Sequence, residues 1–162
     1  YQELNSATTQ KNKDSPLSKI SGSVDCQVQT VLLDSNKNKT ETITGHDDKL
    51  YIQNTISLAN EVTDAFFGFF IRKTSGELVY WYTSEGEKDR IDIFPANKTL
   101  HFNLEMQNIL GEGTYVVGIS IKSNDRSKEY YMDNKVLVFS VVNRGANGWM
   151  LHPNCSWSIK EG

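Results

Sequence analysis

From residue 20 onward, apolar and polar residues alternate. Over residues 24–33 (VDCQVQTVLL), Val24, Cys26 and Val28 point one way and Asp25, Gln27 and Gln29 the other. Over 49–58 (KLYIQNTISL), Leu50, Ile52, Asn54, Ile56 and Leu58 share a face opposite Tyr51, Gln53, Thr55 and Ser57. Over 99–106, Leu100, Phe102, Leu104 and Met106 oppose His101, Asn103 and Glu105. Residues 113–122 set Tyr115, Val117, Ile119 and Ile121 inward, and 135–142 do the same with Leu137, Phe139 and Val141. A period of two, rich in β-branched residues, marks half-buried strands. Turn formers separate the segments at 36–38, 75–76, 111–113 and 124–125. No stretch carries a 3.6-residue stripe and no internal repeat occurs. Many short strands between turns predict an all-β antiparallel sandwich.

One segment breaks the alternation. Residues 66–82, FFGFFIRKTSGELVYWY, are apolar on both faces and hold seven of the seventeen aromatics, where an ordinary sandwich hairpin has one polar face. The KTSGE stretch predicts a three-residue loop: a type I turn, then a left-handed Gly76, closed by Lys73 opposite Glu77. That register sets Phe69 against Trp81, Phe70 against Tyr80, Ile71 against Val79 and Arg72 against Leu78. Phe67, Phe69, Ile71, Val79 and Trp81 then face inward. Phe66, Gly68, Phe70, Arg72, Leu78, Tyr80 and Tyr82 face outward. With 113–122 as a neighbouring strand and 135–142 beyond it, Gly118 and Ser120 join the outer set, Gly118 as the floor of a groove. Clustered rings with phenol hydroxyls and a guanidinium suit a sugar, which offers C–H faces for stacking and hydroxyls for pairing. The competing reading is that another segment of the fold covers this face.

Charge and length narrow the classes. The 162 residues suit one domain, and a net charge of −3 gives no electrostatic case for nucleic acid or an anionic membrane surface. No apolar run approaches the roughly 18 residues of a membrane span. The first twenty residues are polar and read as no signal peptide. Residues 1–19 have linker composition, and 20–162 form the expected sandwich; a start at Tyr1 suggests a piece hung from something N-terminal. Cys26 and Cys155 read as two reduced thiols, and the Asn38, Asn97 and Asn154 sequons as chance in a cytoplasmic protein.

Catalytic constellations are missing. His46, His101 and His152 are scattered, GHDD at 45–48 reads as a polar turn rather than a metal site, and no nucleophile-elbow, zinc-protease, CxxC or phosphate-loop motif occurs. Asp47 with Asp48, or Asp89 with Asp92, are loop pairs that nothing places across a cleft. The reading is a binding module without cofactor or metal, not an enzyme.

The order of motifs resembles a known family. An apolar–Gly–apolar strand with a basic residue and hairpin (66–84) is followed by LGEGTYVVGISI (110–121), YYMDNKVLVFSVV (130–142) and NGWMLHPNCSW (147–157). Together, over about 20–158, they are similar to the C-terminal carbohydrate-binding domain of the ATPase subunit of polysaccharide-exporting ABC transporters, the Wzt type. The resemblance implies an immunoglobulin-like β-sandwich in the cytoplasm, carried to the inner membrane by its transporter. It implies recognition of an O-antigen polysaccharide, at its non-reducing end, for export. ATP-hydrolysing motifs would belong to a separate N-terminal domain. The implied partners are that ATPase domain, the membrane subunit, the polysaccharide and a second copy of the chain. The alternative is a protein-interaction sandwich docking on a partner subunit. For the dimer, Gly145 and Gly148 make a permissive connection before an apolar end; Trp149, Met150, Leu151 and Trp157 are the expected interface, with strand exchange as one route.

Overall fold

The computed structural model describes residues 20–44, 47–86, 91–142 and 155–162, without the side chains of 155 and 156. The linker assigned to 1–19, and the interface residues Trp149, Met150 and Leu151, lie outside the described residues. Among the described residues thirteen strands follow in order: β1 (Ile20–Ser21), β2 (Cys26–Leu33), β3 (Lys39–Thr40), β4 (Thr42–Thr44), β5 (Lys49–Leu58), β6 (Val62–Thr63), β7 (Ala65–Lys73), β8 (Leu78–Thr83), β9 (Ile93–Phe94), β10 (Thr99–Gln107), β11 (Gly113–Ser123), β12 (Glu129–Val142) and β13 (Cys155–Glu161). One 3-10 turn spans Ser84–Gly86, and among the described residues no helix is long and apolar enough to cross a membrane.

Two sheets carry the fold. One runs β1-β12-β11-β7-β8, with β4 alongside β12; the other runs β13-β10-β5-β2-β3. Among the described residues strand pairing is antiparallel except β4 with β12, and one isolated parallel bridge joins Leu58 to Ala96. The order β12-β11-β7-β8 is that of strands G, F, C and C′ in an immunoglobulin sandwich. Tyr115, at the start of the F-like strand, donates its hydroxyl to the Gly111 carbonyl at 2.8 Å. That is the tyrosine corner of such folds: the hydroxyl pins the connection entering the strand.

The alternation fixes the core. Leu50, Ile52, Ile56, Leu58, Leu100, Phe102, Leu104 and Met106 are buried from one sheet; Phe67, Phe69, Ile71, Val117, Ile119 and Ile121 are buried from the other. The sheets meet where Phe67 stacks on Phe102, ring centres 4.3 Å apart, with Phe94 behind Phe102 at 5.8 Å. Each fully buried ring contributes about 1.5–3 kcal/mol by leaving water. Truncating Phe102 to alanine, which opens a void between the sheets, costs about 3–5 kcal/mol. Asn54 is the polar residue on the buried face of β5. Thr30 Oγ1 donates to its Oδ1 at 2.8 Å, and its Nδ2 donates to the Phe102 carbonyl at 3.3 Å, so it is buried with partners on both ends.

The last strand closes the second sheet. β13 pairs with β10 from Leu100–Glu161 to Met106–Cys155. The Trp157 ring packs edge-on against Phe67 (5.6 Å) and Phe69 (6.3 Å) and lies 5.2 Å from Tyr82. Within the chain, Trp157 therefore seals one end of the core.

Candidate functional site

The opening hairpin has the predicted turn. Gly76 sits at φ 94°, Gly76 N–H donates to the Lys73 carbonyl and Lys73 N–H to the Glu77 carbonyl, both at 2.9 Å, and the Lys73–Glu77 ion pair closes the loop at 2.8 Å. Arg72 faces Leu78 as expected. One step further in, the register shifts: Ile71 pairs with Tyr80, Phe70 with Trp81, Phe69 with Tyr82 and Gly68 with Thr83. Val79 is the extra residue of a β-bulge. Beyond it every β8 side chain changes face, because side-chain direction alternates strictly.

The bulge corrects several assignments. Tyr80 and Tyr82, expected outside, turn to the inner side: Tyr80 packs against the core, and the Tyr82 ring lies on Trp157. Trp81 and Val79, expected inside, are exposed, Trp81 by 61%. Phe67, Phe69 and Ile71 are buried as expected. β7 keeps its phase because it is a central strand, paired on one side with β11 and on the other with β8.

The outer face of this sheet holds a cavity of about 450 Å³ lined by Phe66, Gly68, Phe70, Arg72, Leu78, Trp81, Thr83, Ser120, Lys122, Arg126 and Met132, with Phe69 and Tyr82 touching its margin. Phe66, Phe70, Arg72 and Ser120 are therefore brought together as predicted. Register explains it: β11 lies beside β7 with Gly118 opposite Phe70, Ser120 opposite Gly68 and Lys122 opposite Phe66. Gly118 is not an open floor. A Cβ there would fall 1.9–2.8 Å from three atoms of the Phe70 ring, so that ring occupies the space the glycine leaves. Gly68 makes room in the same way for Ser120, whose Oγ would stand 2.5 Å from an added Cβ.

The two phenylalanines are not open platforms either. Phe66 is 4% exposed and Phe70 8%. The Arg126 guanidinium stands 5.4 Å from the Phe66 ring centre and that of Arg72 4.3 Å from the Phe70 ring centre. Each arginine covers a ring and gains a cation–π contact. Along β7 the backbone positions of the two residues are about 13 Å apart, with the small Gly68–Ser120 pair between them. The aromatic surface that remains open is Trp81.

Polar partners hold the cations in place. Arg72 Nη1 donates to Asn134 Oδ1 at 3.1 Å. Arg126 Nη2 donates to Glu85 Oε2 at 2.8 Å, and Lys122 Nζ lies 3.9 Å from Glu129 Oε2. Arg126 itself sits at φ 60°, a left-handed backbone that costs a non-glycine residue roughly 1–2 kcal/mol. Its turn is tied by Asp125, which accepts from Ser123 Oγ (2.6 Å), Ser127 Oγ (2.7 Å) and Ser127 N–H (2.9 Å). Those donors hold the Asp125 carboxyl down at about 2.

Lys122 was legible: it continues the Gly118, Ser120 alternation by one more step. Trp81 and Thr83 were hidden by the bulge. Leu78 joins the lining where the hairpin register placed it, opposite Arg72; Arg126 and Met132 come from a turn and a third strand, and no local pattern ties them to Phe66. A smaller cavity of about 320 Å³ on the other sheet includes Lys37, Tyr51, Gln53, Asn103 and Glu105. Of its two aromatic residues, Tyr51 is capped by the Lys37 ammonium and Trp157 turns its ring inward onto Phe67 and Phe69, so it offers no comparable aromatic surface. Cys26, expected as a reduced thiol, is free, and burial with the nearby Asp25 charge pushes it up to about 12. A thiol so perturbed is a poor nucleophile.

Comparison with known proteins agrees with the fold. A search of curated proteins finds no match to this sequence. Among solved structures, the crystal structure of the C-terminal domain of wzt superposes with a TM-score of 0.67 at 14% identity, covering 79% of this chain and 80% of that one. At that identity the likeness establishes the fold. Residues 21–150 match the Wzt C-terminal domain family, most of the chain and nearly all of its described strands. The chain belongs to the Wzt C-terminal domain family.

Proposed function

We propose that this domain is the glycan-recognition module of a polysaccharide-exporting ABC transporter, and that it binds an O-antigen polysaccharide on the outer face of the β12-β11-β7-β8 sheet. The observation that carries the reading is the cavity of about 450 Å³ in which an exposed indole, Trp81, stands beside guanidinium, ammonium and hydroxyl groups. A flat apolar ring with hydrogen-bonding groups around it is what a sugar ring requires. Trp81 supplies the stacking surface in place of Tyr80 and Tyr82. Ser120, Arg72, Lys122 and Arg126 supply the polar contacts, and Phe66 and Phe70 act beneath the arginines as their supports. Binding here licenses export without chemistry on the sugar, while ATP hydrolysis belongs to another domain of the same subunit.

The test is calorimetric titration with the source organism's polysaccharide. Trp81→Ala is expected to weaken binding about tenfold or more, on the scale of about 1–3 kcal/mol for loss of an aromatic stacking partner, with the fold retained. Tyr80→Phe, on the inner side, is expected to leave affinity unchanged. Unaltered binding by Trp81→Ala would remove this face as the site.

A second reading is favoured by one feature. β8 is an edge strand, and Leu78, Val79 and Trp81 on it are all exposed apolar residues, as a docking edge for a partner protein would be. Protection of β8 amides by the ATPase domain, with no response to polysaccharide, would favour that reading. The proposal also includes a homodimer: the β13–β10 ladder that closes the sheet within one chain is equally available to β13 of a second copy.

A further inference from the structure

We infer that the ligand is anionic, with a carboxylate or phosphate group of the polysaccharide seated on the Arg72 guanidinium; this rests on the glycan reading above. Three residues of the described cavity lining carry positive charge, Arg72, Lys122 and Arg126, and none carries negative charge, in a chain whose net charge is −3. Two of the three are already answered by carboxylates outside the lining, Arg126 by Glu85 and Lys122 by Glu129. Arg72 differs. Its hydrogen-bond partner is a neutral amide oxygen, Asn134 Oδ1 at 3.1 Å, and its other support is the Phe70 ring. Among the described residues no carboxylate lies within ion-pair distance of it.

Asn134 and Phe70 thus fix the guanidinium without neutralising it. The fork keeps further N–H donors in one plane, the arrangement that grips a planar or tetrahedral oxyanion with two parallel bonds. Half-burial of Arg72 strengthens the attraction relative to open water. The donor–acceptor balance points the same way. Guanidinium and ammonium groups donate and cannot accept, and the outward side-chain acceptors in the lining are the hydroxyls of Ser120 and Thr83. Such a lining matches a ligand rich in acceptors. A neutral glycan, whose hydroxyls must also donate, is served better by carboxylates and amides. A uronic-acid carboxylate and a sugar phosphate ester share the chemistry that fits.

The 15N-labelled 162-residue chain, titrated with four probes, tests this. The probes are α-1,4-linked tetragalacturonate, its carboxyl-reduced neutral counterpart, glucose 6-phosphate and inorganic phosphate. At least one acidic sugar is expected to bind about tenfold tighter than the neutral one, as a hydrogen bond to a charged group implies, and to shift the Arg72 Nε–H signal. Tetragalacturonate as the tighter probe assigns a carboxylate, glucose 6-phosphate a phosphate. R72Q is expected to close the gap with its amide spectrum otherwise intact; R72K, which keeps the charge and loses the fork, is expected to close it partly. Equal binding of acidic and neutral probes that is lost in W81A overturns the anion seat and leaves the glycan reading standing, and so does a gap that survives R72Q. Inorganic phosphate shifting Arg72 while no sugar binds upholds the seat and overturns the glycan reading. No response to any of the four overturns both.

Discussion

Gly118→Ala puts the packing of the site to a strict test, because one added methyl group meets a ring with nowhere easy to go. The new Cβ would lie 1.9, 2.3 and 2.8 Å from three Phe70 ring carbons, where carbon atoms normally rest about 3.5–4.0 Å apart. The ring must retreat by about 1.5 Å. It is held on its other side by the Arg72 guanidinium, 4.3 Å from the ring centre and tethered to Asn134, so ring and arginine move together or the β7–β11 ladder opens. Overpacking of this kind costs about 1–3 kcal/mol, and in a chain of this size each kcal/mol lowers Tm by about 2–4 °C. The alanine is not opposed by its backbone, since Gly118 lies outside the left-handed region; the cost is purely steric. Urea denaturation followed by tryptophan fluorescence gives the stability, and the Phe70→Leu background gives the cause. With the ring gone, the alanine should cost much less, leaving a coupling of about 1 kcal/mol or more between the two sites. A Gly118→Ala protein as stable as the parent, or one destabilised equally in both backgrounds, would refute the close approach of ring and glycine.

Gly68→Ala should be destabilising for the same reason, by about 1–2 kcal/mol, and Ser120→Ala should suppress it, because the obstruction is the Ser120 hydroxyl; thermal melts of the single and double variants decide. Tyr115→Phe should cost about 1 kcal/mol through loss of the hydroxyl bond to Gly111, read as a shift in urea midpoint with unchanged slope. Trp157→Ala should cost about 3 kcal/mol, whereas Trp157→Phe keeps ring contacts with Phe67, Phe69 and Tyr82 and removes a buried indole N–H that has no partner among the described residues; the alanine variant should melt well below the phenylalanine one. Asp125 has an ordinary value of 3.8 and is held at about 2 in the fold, so the stability it lends its turn is present above the ordinary value and lost as pH falls through about 2; carboxyl 13C titration should show its midpoint near 2, and an ordinary midpoint would mean that the serine hydrogen bonds do not form. Sedimentation at tens of micromolar should show a dimer for the intact chain and a monomer after truncation at Val142, while a monomeric intact chain would end the dimer proposal.

The periodicity of two made most of this fold legible. β5, β10 and β11 lie where the alternation places them, and Leu50, Ile52, Ile56, Leu58, Phe102 and Met106 are all buried. The hairpin turn was equally readable, since Lys73, Gly76 and Glu77 encode it locally. The face of Trp81 was not readable. A β-bulge at Val79 requires no glycine and leaves no mark in composition, yet one extra residue exchanges Trp81 for Tyr80 and Tyr82 on the outer face. The state of the platform was also hidden. That Phe66 and Phe70 share a face follows from spacing; that arginines from β7 itself and from a turn about sixty residues away lie over them depends on tertiary contact. Gly118 shows the limit in another way, because a glycine beside an aromatic strand is compatible with an empty groove or with a ring filling it.

The central claim is that polysaccharide meets Trp81. The chain has three tryptophans, so an 15N spectrum carries three indole N–H signals, assignable by substituting each in turn. Added stepwise, the source organism's polysaccharide is expected to move the Trp81 signal saturably, together with the Arg72 Nε–H and the amides of Gly68 and Ser120, while the Trp157 indole, on the inner side of the sandwich, stays in place. A saturating ligand that leaves Trp81 and its neighbours unmoved, and shifts residues of the opposite sheet such as Gln53 and Asn103, would contradict the assignment of this face.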